Sequence, residues 1–315
     1  MMLRFLRNYP WKFYLKTFFR APRIVTGAML VKEDRVSILS PIDDRLSFRA
    51  GLRDLEGAPL LNSSSRPGPH TAFRSGVLSG RSVNEAFQWV FVVDTPNAQI
   101  HQIDVQRYGT GKELTPARAS HLVPNATTVS MSYWELLNDK LGPNGPEPTP
   151  VCILFGLSKS VARNLEDWAN YLGSRVAAII PLPLVLLEES ISLSPTGIHI
   201  ILTTNHTVIA LTLEKEIKLI TRVEPVQKLG ISRIVSTLET LGEAFPEMSK
   251  STVRLISCDL ASSELTDHAQ AVSADAVPTR PEELQDGLKM ISGASSSPIE
   301  AVSLYRALCV VPSPA

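Results

Sequence analysis

Apolar and less apolar residues alternate along two runs in the middle of the chain, Ile198–Leu202 and Val208–Leu213. Period-two alternation with many β-branched residues is typical of strands with one buried face. The polar segment Thr203–Thr207 between the runs predicts a tight turn. A third apolar run, Ile217–Val223, follows a charged turn. The pattern therefore predicts three antiparallel strands, which we expect in a mixed sheet next to a strand at Val151–Leu157.

The segments on either side of this meander predict further strands and helices. Val151–Leu157 is a continuous apolar run, which is typical of a central strand buried on both faces. Ser158 is the candidate N-cap of a helix over Lys159–Leu172. The remaining elements are expected in this order: a strand Val176–Ile180, a short helix through Leu187, a helix Ile231–Leu241, a strand Thr252–Ser257, a helix Ser262–Ser273, a short strand at Val277 and a last helix Pro298–Val310.

The first half of the chain has fewer clear periodic runs. Strands are expected over the following apolar runs: two within Ile24–Leu39, one over Phe87–Val93 and one over Ile100–Tyr108. A helix is predicted over Val129–Leu141, because Trp134, Leu137 and Leu141 would share one face of it.

Two other segments have the composition of loops. Asn62–Ser82 is rich in Ser, Gly, Pro and Arg, which indicates an exposed or partly disordered loop. Gly142–Pro150 contains four prolines, which cannot continue a helix or a central strand, and is predicted to be a linker or long loop. Gly109–Lys112 has the wrong spacing for a phosphate-binding loop, so we expect a hairpin turn there.

The composition excludes several classes of protein. A chain of 315 residues suggests about two domains, and 44 % hydrophobic with 20 % charged residues is an ordinary globular balance. The formal net charge is zero, so the chain has no overall positive potential that would attract nucleic acid. The longest apolar run, Val176–Leu187, is shorter than the ~20 residues that a membrane-spanning helix needs. The three cysteines lie far apart in apolar runs and are predicted to be buried thiols.

The first 23 residues differ from the rest of the chain. They carry six basic residues and no acid, together with seven of the chain's twenty aromatic residues. A helix that begins near Asn8 and Pro10 would place Lys12, Lys16 and Arg20 on one face, as in a helix at a membrane surface. Three interpretations are open: contact with a membrane or partner, an organelle transit peptide, or docking on the chain's own core. Under the first, the contacting residues are Arg4, Arg7, Trp11, Lys12, Phe13, Lys16, Phe19 and Arg20.

The order of elements from about residue 151 to residue 310 resembles that of a known family. The run CILFGLSKSVARNLEDWANYLGSRVAAIIPLPLVLL contains a strand, a helix, a second strand and a Pro-containing turn. The meander IHIILTTNHTVIALTLEKEIKLITRVEP follows, then the late strand of VRLISCDLASSELTDHAQ and the closing helix of PIEAVSLYRALCVV. This order is similar to that of the type IV pilus assembly proteins of the PilM kind and of the cytoplasmic domain of the type II secretion protein GspL.

The resemblance implies an α/β fold, namely the two-lobed actin-like (ribonuclease H-like) ATPase fold with mixed sheets. We expect residues 1–23 to be a separate basic and aromatic segment. Residues 24–190 would form a first lobe, which includes the loops 62–82 and 142–150. Residues 191–315 would form the second actin-like lobe.

The departures from the family pattern concern the nucleotide site. In actin-like ATPases, a carboxylate from each of two phosphate hairpins handles Mg²⁺ and the attacking water. The corresponding segments here, Thr26–Val31 and Leu202–Thr207, contain no acid, and Ser257–Asp259 replaces the Gly-Gly at the nucleotide base. Because Mg²⁺ is usually held through carboxylates, we expect no catalytic residue, no metal site and no bound cofactor, with ATP as the alternative. Gly27 and Thr207 are the residues that the resemblance leaves for contact with a nucleotide.

Several polar side chains near the meander are predicted to be solvated rather than catalytic. His206 lies in the polar turn, and His199 lies between two isoleucines, from where it could point outward. The pair Glu188-Glu189 follows a short helix and is expected in solvent.

Together these features favour a non-catalytic cytoplasmic scaffold subunit of a type IV pilus or type II secretion-like inner-membrane assembly complex, peripheral to the inner membrane. The expected partners are membrane protein subunits of that complex and an anionic membrane surface, without nucleic acid. The alternative class is an enzyme, a divergent actin-like ATPase or small-molecule kinase. A third possibility is an organelle-imported protein of unknown task.

Overall fold

The computed structural model describes the following residues: 23–32, 35–42, 45–52, 85–96, 98–104, 129–136, 151–223, 230–246, 251–284 and 288–310. The predicted N-terminal helix, the loop 62–82, the turn 109–112 and the linker 142–150 lie outside these residues. Within the described ranges, no helix combines the length and the apolar character needed to cross a bilayer.

The described part of the chain alternates between strands and helices. In chain order the elements are β1 (Arg23–Val31), β2 (Val36–Ile42), β3 (Arg45–Leu52), β4 (Glu85–Val93), β5 (Gln99–Asp104), β6 (Val129–Leu136), β7 (Val151–Ser158), α1 (Lys159–Tyr171), β8 (Arg175–Pro181), α2 (Leu182–Leu193), β9 (Gly197–Leu202), β10 (Thr207–Leu213), β11 (Glu216–Val223), α3 (Ile231–Ala244), β12 (Val253–Ser257), α4 (Ser262–Val272), β13 (Ala276–Pro278), β14 (Ile291–Ser292) and α5 (Pro298–Val310). Short 3₁₀ turns at Pro281–Leu284 and Ala294–Ser296 precede and follow β14.

The first sheet has the strand order β14-β3-β2-β1-β4-β8. β1 and β2 form an antiparallel hairpin, the first hairpin, and β4 pairs in parallel with β1. Gly27 lies opposite Trp89 in this register, and a Cβ at Gly27 would lie 2.6 Å from Cζ3 of Trp89 and 2.9 Å from Cζ of Phe87. The two rings therefore fill the space that the missing side chain leaves.

The second sheet contains the predicted meander and has the order β11-β10-β9-β12-β13. β9 and β10 form the second hairpin, in which Thr207 lies opposite Leu202, and β11 adds to β10 in antiparallel orientation. β12 and β13 extend the sheet in parallel, so the prediction of three antiparallel strands within a mixed sheet is confirmed. The predicted neighbour is wrong, because β12 and not β7 lies beside β9.

A third sheet consists of β5, β7 and β6, with β7 in the middle. The prediction of a helix is wrong for Val129–Leu136, which pairs with β7 in antiparallel orientation. The run VSMSYWEL begins with apolar residues that alternate with serine, which is the period of a strand. The helical spacing from Trp134 to Leu141 extends past the end of β6 at Leu136.

The end of the chain returns to the first sheet. β14 pairs with β3, and α5 packs against β1, β2 and β4. The division into lobes at residue 190 stays a prediction; residues 291–310, which it assigns to the second lobe, lie on the first sheet.

Two hydrophobic cores lie on opposite faces of the second sheet. Val208 and Ala210 belong to the larger core, which continues into the first sheet and includes Trp89 and Trp168. Ile209 and other residues of the opposite face form the smaller core with side chains of α3 and α4. Because the sheet is covered on both sides, polar side chains on its inner strands are buried.

Candidate functional site

Five segments that are distant in the sequence meet at one place. They are the turn of the first hairpin, the end of β4, the turn of the second hairpin, the end of β12 and the first turn of α5. β1 and β4 are parallel neighbours, as are β9 and β12, so each pair of strands ends at one edge of its sheet. We call the charged residues that meet there the charge cluster: Lys32, Arg35, Asp94, Asp259 and Glu300.

Asp259 joins the two hairpins. Its Oδ1 accepts from Lys32 Nζ at 2.5 Å and from an Arg35 guanidinium nitrogen at 3.2 Å, both in the first hairpin. Its Oδ2 accepts from the backbone N–H of Thr204 at 2.9 Å and from the Thr204 hydroxyl at 2.8 Å, both in the second. Burial alone would raise the pKa of Asp259, but Lys32 and these hydrogen bonds hold it below its usual range.

Lys32 also contacts Glu300 at 3.0 Å, and Glu300 accepts a hydrogen bond from the Ser37 hydroxyl at 2.6 Å. The side chains of Lys32 and Glu300 are only 5 % and 4 % exposed. Burial would lower the pKa of Lys32, but the acidic groups around it, Cys258, Glu300 and Asp259, raise it above its usual value. Burial raises the pKa of the Cys258 thiol, so the thiol is uncharged at neutral pH. The negative charge beside Lys32 therefore comes from the two carboxylates. Lys32, Arg35, Asp259 and Glu300 therefore neutralise one another.

Asp94 directly follows β4 and is fully buried. The Thr203 hydroxyl donates to its Oδ1 at 3.0 Å, whereas its Oδ2 has no hydrogen-bond partner in the part of the chain that the structure describes. Among the described residues, no cation forms an ion pair with this carboxyl group. Burial is the main cause that raises the pKa of Asp94 to about 6, and the charge of Asp259 adds to it.

His206, predicted to be solvated, is fully buried, so that prediction is wrong. The turn of the second hairpin packs against the end of β4, where His206 Nε2 donates to the Thr95 carbonyl oxygen at 2.8 Å. The Asn205 amide donates to the backbone carbonyl of Asp94 at 3.2 Å. Burial, together with the positive charge of Arg222, lowers the pKa of His206 to about 4. The imidazole is therefore neutral at pH 7 and fastens the turn to the first sheet.

His199 is also fully buried, and the expectation that it points outward is wrong. β9 is an inner strand with both faces covered, and the two ring nitrogens of His199 lie 2.8 Å from Ser190 Oγ and 2.7 Å from Thr212 Oγ1. Burial, with a contribution from Arg254, lowers the pKa of His199 to about 4. This Ser-His pair lies in the protein interior, where its hydrogen bonds join α2 to the second sheet.

Two further predictions of exposure or burial are wrong. Glu189 is buried and accepts a hydrogen bond from Arg306 of α5, while Glu188 is half-buried and its pKa is raised, mainly by burial. Cys309 is exposed, because it lies near the end of α5, whereas Cys258 is half-buried beside the charge cluster.

Gly27 and Thr207 do not lie within the charge cluster. Gly27 lies inside β1 against two aromatic rings. Thr207 is fully buried, and its hydroxyl oxygen has no hydrogen-bond partner among the residues that the structure describes. Their contact with a nucleotide stays a prediction. The eight N-terminal residues proposed for membrane or partner contact lie outside the described residues: Arg4, Arg7, Trp11, Lys12, Phe13, Lys16, Phe19 and Arg20.

Sequence reasoning placed the first phosphate hairpin too early in the chain. Thr26–Val31 lies within β1, and the chain leaves the strand only after Val31, where the Lys32 N–H donates to the Arg35 carbonyl oxygen at 3.0 Å before β2 begins at Val36. A local signal for the missed residues is present, since Lys32, Asp94 and Asp259 each follow an apolar run: AMLVK, VFVVD and LISCD. Among the described residues, no group of three or more His, Cys, Asp or Glu side chains is placed to hold a metal ion.

By sequence, the chain matches no protein-family model and no curated protein. Its fold, however, is similar to that of solved structures. One is the PilM-PilN type IV pilus biogenesis complex, with a TM-score of 0.59, 11 % identity, and coverage of 92 % of this chain and 100 % of that chain. Another is a protein of unknown function with an actin-like ATPase fold from Bacteroides thetaiotaomicron, with a TM-score of 0.51, 13 % identity, and coverage of 85 % and 96 %.

A third similar structure is the cytoplasmic domain of EpsL, an inner membrane component of the type II secretion system of Vibrio cholerae. Its TM-score is 0.48 at 9 % identity, with coverage of 91 % of this chain and 96 % of that chain. The first two likenesses show that this chain has the actin-like α/β fold with mixed sheets, and they confirm at the level of the fold the resemblance that the sequence predicted.

Proposed function

We propose that this chain is a non-catalytic cytoplasmic scaffold subunit of a type IV pilus or type II secretion-like inner-membrane assembly complex. The observation that carries the proposal is the mutual pairing of four members of the charge cluster, Lys32, Arg35, Asp259 and Glu300. Lys32 and Arg35 face Asp259, and Thr204 donates its backbone N–H to the same carboxylate. A phosphoryl-transfer site needs donors and carboxylates that are free for phosphate and Mg²⁺. In this chain those groups are engaged with one another.

The proposed partner is a membrane protein subunit of the same complex. A solved structure with this fold is a complex of PilM with PilN in type IV pilus biogenesis. By analogy, we infer that the present chain recruits or holds a membrane subunit from the cytoplasmic side. Co-purification of the full chain with the membrane subunits of such a complex tests this partner, and failure to bind any of them would contradict it.

The proposed membrane contact is the segment 1–23. Its aromatic residues would supply apolar area at about 25 cal/mol per Å², and each basic residue near an anionic leaflet would add about 1 kcal/mol. Salt should weaken the charge contribution, because the Debye length is about 8 Å at physiological ionic strength.

Vesicle flotation tests this contact with the full chain. Replacement of Lys12, Lys16 and Arg20 by glutamate should abolish flotation with anionic vesicles and leave the melting temperature unchanged. The matched control reverses three exposed basic residues of the described body: Arg163, Arg233 and Arg280. If the two triple variants lose flotation to the same extent, residues 1–23 have no specific role in membrane contact. A drop of many degrees in melting temperature on deletion of residues 1–23 would instead indicate that the segment packs on the core.

The second candidate function, a divergent actin-like ATPase or small-molecule kinase, is favoured by Asp94. Within the described ranges, one oxygen of this carboxyl group has no partner, and its pKa of about 6 lies within the range of a general base. We expect neither heat on titration with Mg²⁺-ATP nor phosphate release above background. A turnover that Asp94→Asn abolishes, and that Asp275→Asn at an exposed site leaves intact, would favour the enzyme.

A further inference from the structure

Asp94 lies at the contact between the first sheet and the second hairpin. Its backbone is fixed to the first sheet, because its N–H donates to the Val31 carbonyl oxygen at 3.2 Å. Its side chain faces the hairpin, where the Thr203 hydroxyl donates to Oδ1 at 3.0 Å. The same hydroxyl oxygen accepts from the backbone N–H of His206 at 3.0 Å. The Asp94 carboxyl group is therefore linked through one hydroxyl to the turn of the hairpin.

The surroundings of Asp94 favour a neutral carboxyl group over an ionised one. The side chain is fully buried, and a buried carboxylate without compensating partners is costly. An ionised carboxyl group has about four acceptor positions, whereas among the described residues Oδ2 has no hydrogen-bond partner. Burial is the main cause that raises the pKa of Asp94 to about 6, although the hydrogen bond from Thr203 acts in the opposite direction.

Charged groups on the neighbouring elements act on Asp94 without changing their own charge near neutral pH. Asp259, at the end of β12, raises the pKa of Asp94, and Lys32, in the first hairpin, lowers it by less. The pKa of Asp259 itself lies below its usual range, and that of Lys32 lies above it. His206, in the second hairpin, has a pKa of about 4. Of these four side chains, only Asp94 changes its charge between about pH 5 and pH 8. The other members of the charge cluster, Arg35 and Glu300, pair with Asp259 and Lys32.

We propose that the protonation state of Asp94 controls how tightly the second hairpin is held on the end of β4. With the carboxyl group protonated, the buried contact is closed. When the group ionises, the closed contact holds a buried negative charge near Asp259, and opening of the hairpin admits water to the carboxylate. Because the closed form binds the proton more tightly than the open form, a rise in pH shifts the population toward the open form. The inference goes beyond the scaffold role and does not depend on it.

The test is hydrogen–deuterium exchange of the full chain at several pH values between about 5 and 8, corrected for the intrinsic pH dependence of amide exchange. The reporters are the Thr203 amide, which donates to the His206 carbonyl oxygen at 2.8 Å, and the His206 amide. If opening returns the pKa of Asp94 from about 6 to the ordinary 3.8, their protection should fall about tenfold between pH 5 and pH 7. Protection in α3, which packs in the smaller core, should not change with it.

Two variants and a control separate Asp94 from other causes. Asp94→Asn, which stays neutral, should keep the protection of both amides nearly constant, whereas Asp275→Asn at an exposed site should behave as the wild type. Thr203→Val removes a hydrogen bond that lowers the pKa of Asp94, so the fall in protection, followed through the amide at residue 203, should move to higher pH.

Three results would overturn the inference: no fall in the wild type, an equal fall in α3, or the same fall in Asp94→Asn. If Asp94→Asn does not fold, Thr203→Val decides in its place, and an unchanged pH dependence in that variant counts against the role of Asp94. If neither variant folds, the comparison of the second hairpin with α3 in the wild type decides alone.

Discussion

Replacement of Lys32 by methionine should destabilise the protein strongly. Methionine is similar in length and apolar, so the change removes the charge and leaves two carboxylates without their shared cation. Removal of one partner from a buried ion pair costs about 3–5 kcal/mol, because the remaining charge is left uncompensated. Glu300 loses most, since it is 4 % exposed and, among the described residues, keeps only the Ser37 hydroxyl and Arg35, which lies 3.7 Å away. Asp259 keeps Arg35 and both donors of Thr204.

We expect a loss of about 4 kcal/mol, which for a chain of this size lowers the melting temperature by about 6 °C. Calorimetry at pH 7 measures this shift. Lys218→Met is the matched control, because its ion pair with Glu216 joins side chains that are 36 % and 29 % exposed, and such pairs contribute at most about 1 kcal/mol. Lys32→Met/Glu300→Gln should recover part of the loss. If Lys32→Met melts within about 2 °C of the wild type, the charge cluster does not hold the segments together.

Three further changes test other parts of the fold. Gly27→Ala should cost about 2 kcal/mol, because its Cβ would lie 2.6 Å from the Trp89 ring. Gly242→Ala in α3 should cost nothing, because a Cβ there has no close contact outside its own helix among the described residues; equal unfolding midpoints of the two variants in urea would refute the difference. His199→Asn should reduce the loss of stability on acidification. The pKa of His199 in the folded protein, about 4, lies below the ordinary 6.5. The neutral imidazole therefore contributes about 3 kcal/mol to the free energy of unfolding, and this is lost as the pH falls from 6.5 to 4. Asp94 acts with the opposite sign, because its pKa in the folded protein, about 6, lies above the ordinary 3.8. The stability that its protonated carboxyl group contributes is present below pH 4 and is lost as the pH rises through 6. The stability of Asp94→Asn relative to the wild type should therefore rise by about 3 kcal/mol between pH 4 and 7, and a constant difference would contradict the shifted pKa.

Secondary-structure elements in which apolar and polar residues repeat regularly along the whole element could be predicted from the sequence. β9 and β10 show period-two alternation across a polar turn, and α5 begins at Pro298 and ends at Val310 as predicted. β6 was missed because its strand period covers only eight residues, and a helical spacing overlaps its end. In a short run with two competing periods, the tertiary contacts decide the secondary structure; here the pairing with β7 makes the run a strand.

The charge cluster could not be predicted, because its geometry arises from packing between distant segments. Lys32 and Glu300 are 268 positions apart in the chain, and no local pattern shows that their side chains lie 3.0 Å from each other. The burial of His206 has the same cause. Its polar neighbours correctly indicate a turn, but they do not show that this turn packs against the end of β4.

The return of the chain end to the first sheet has a consequence for folding during synthesis. β1 is translated more than 260 residues before α5, the helix that covers it and that carries Glu300, one of the two carboxylates paired with Lys32. Domains generally fold as they leave the ribosome, from the N-terminus onward, whereas the first sheet must wait for residues 291–310. Until then its apolar strands are exposed on the nascent chain. The apolar surface of β1 and β4 that α5 covers in the folded protein therefore becomes buried only after residues 298–310 have been made.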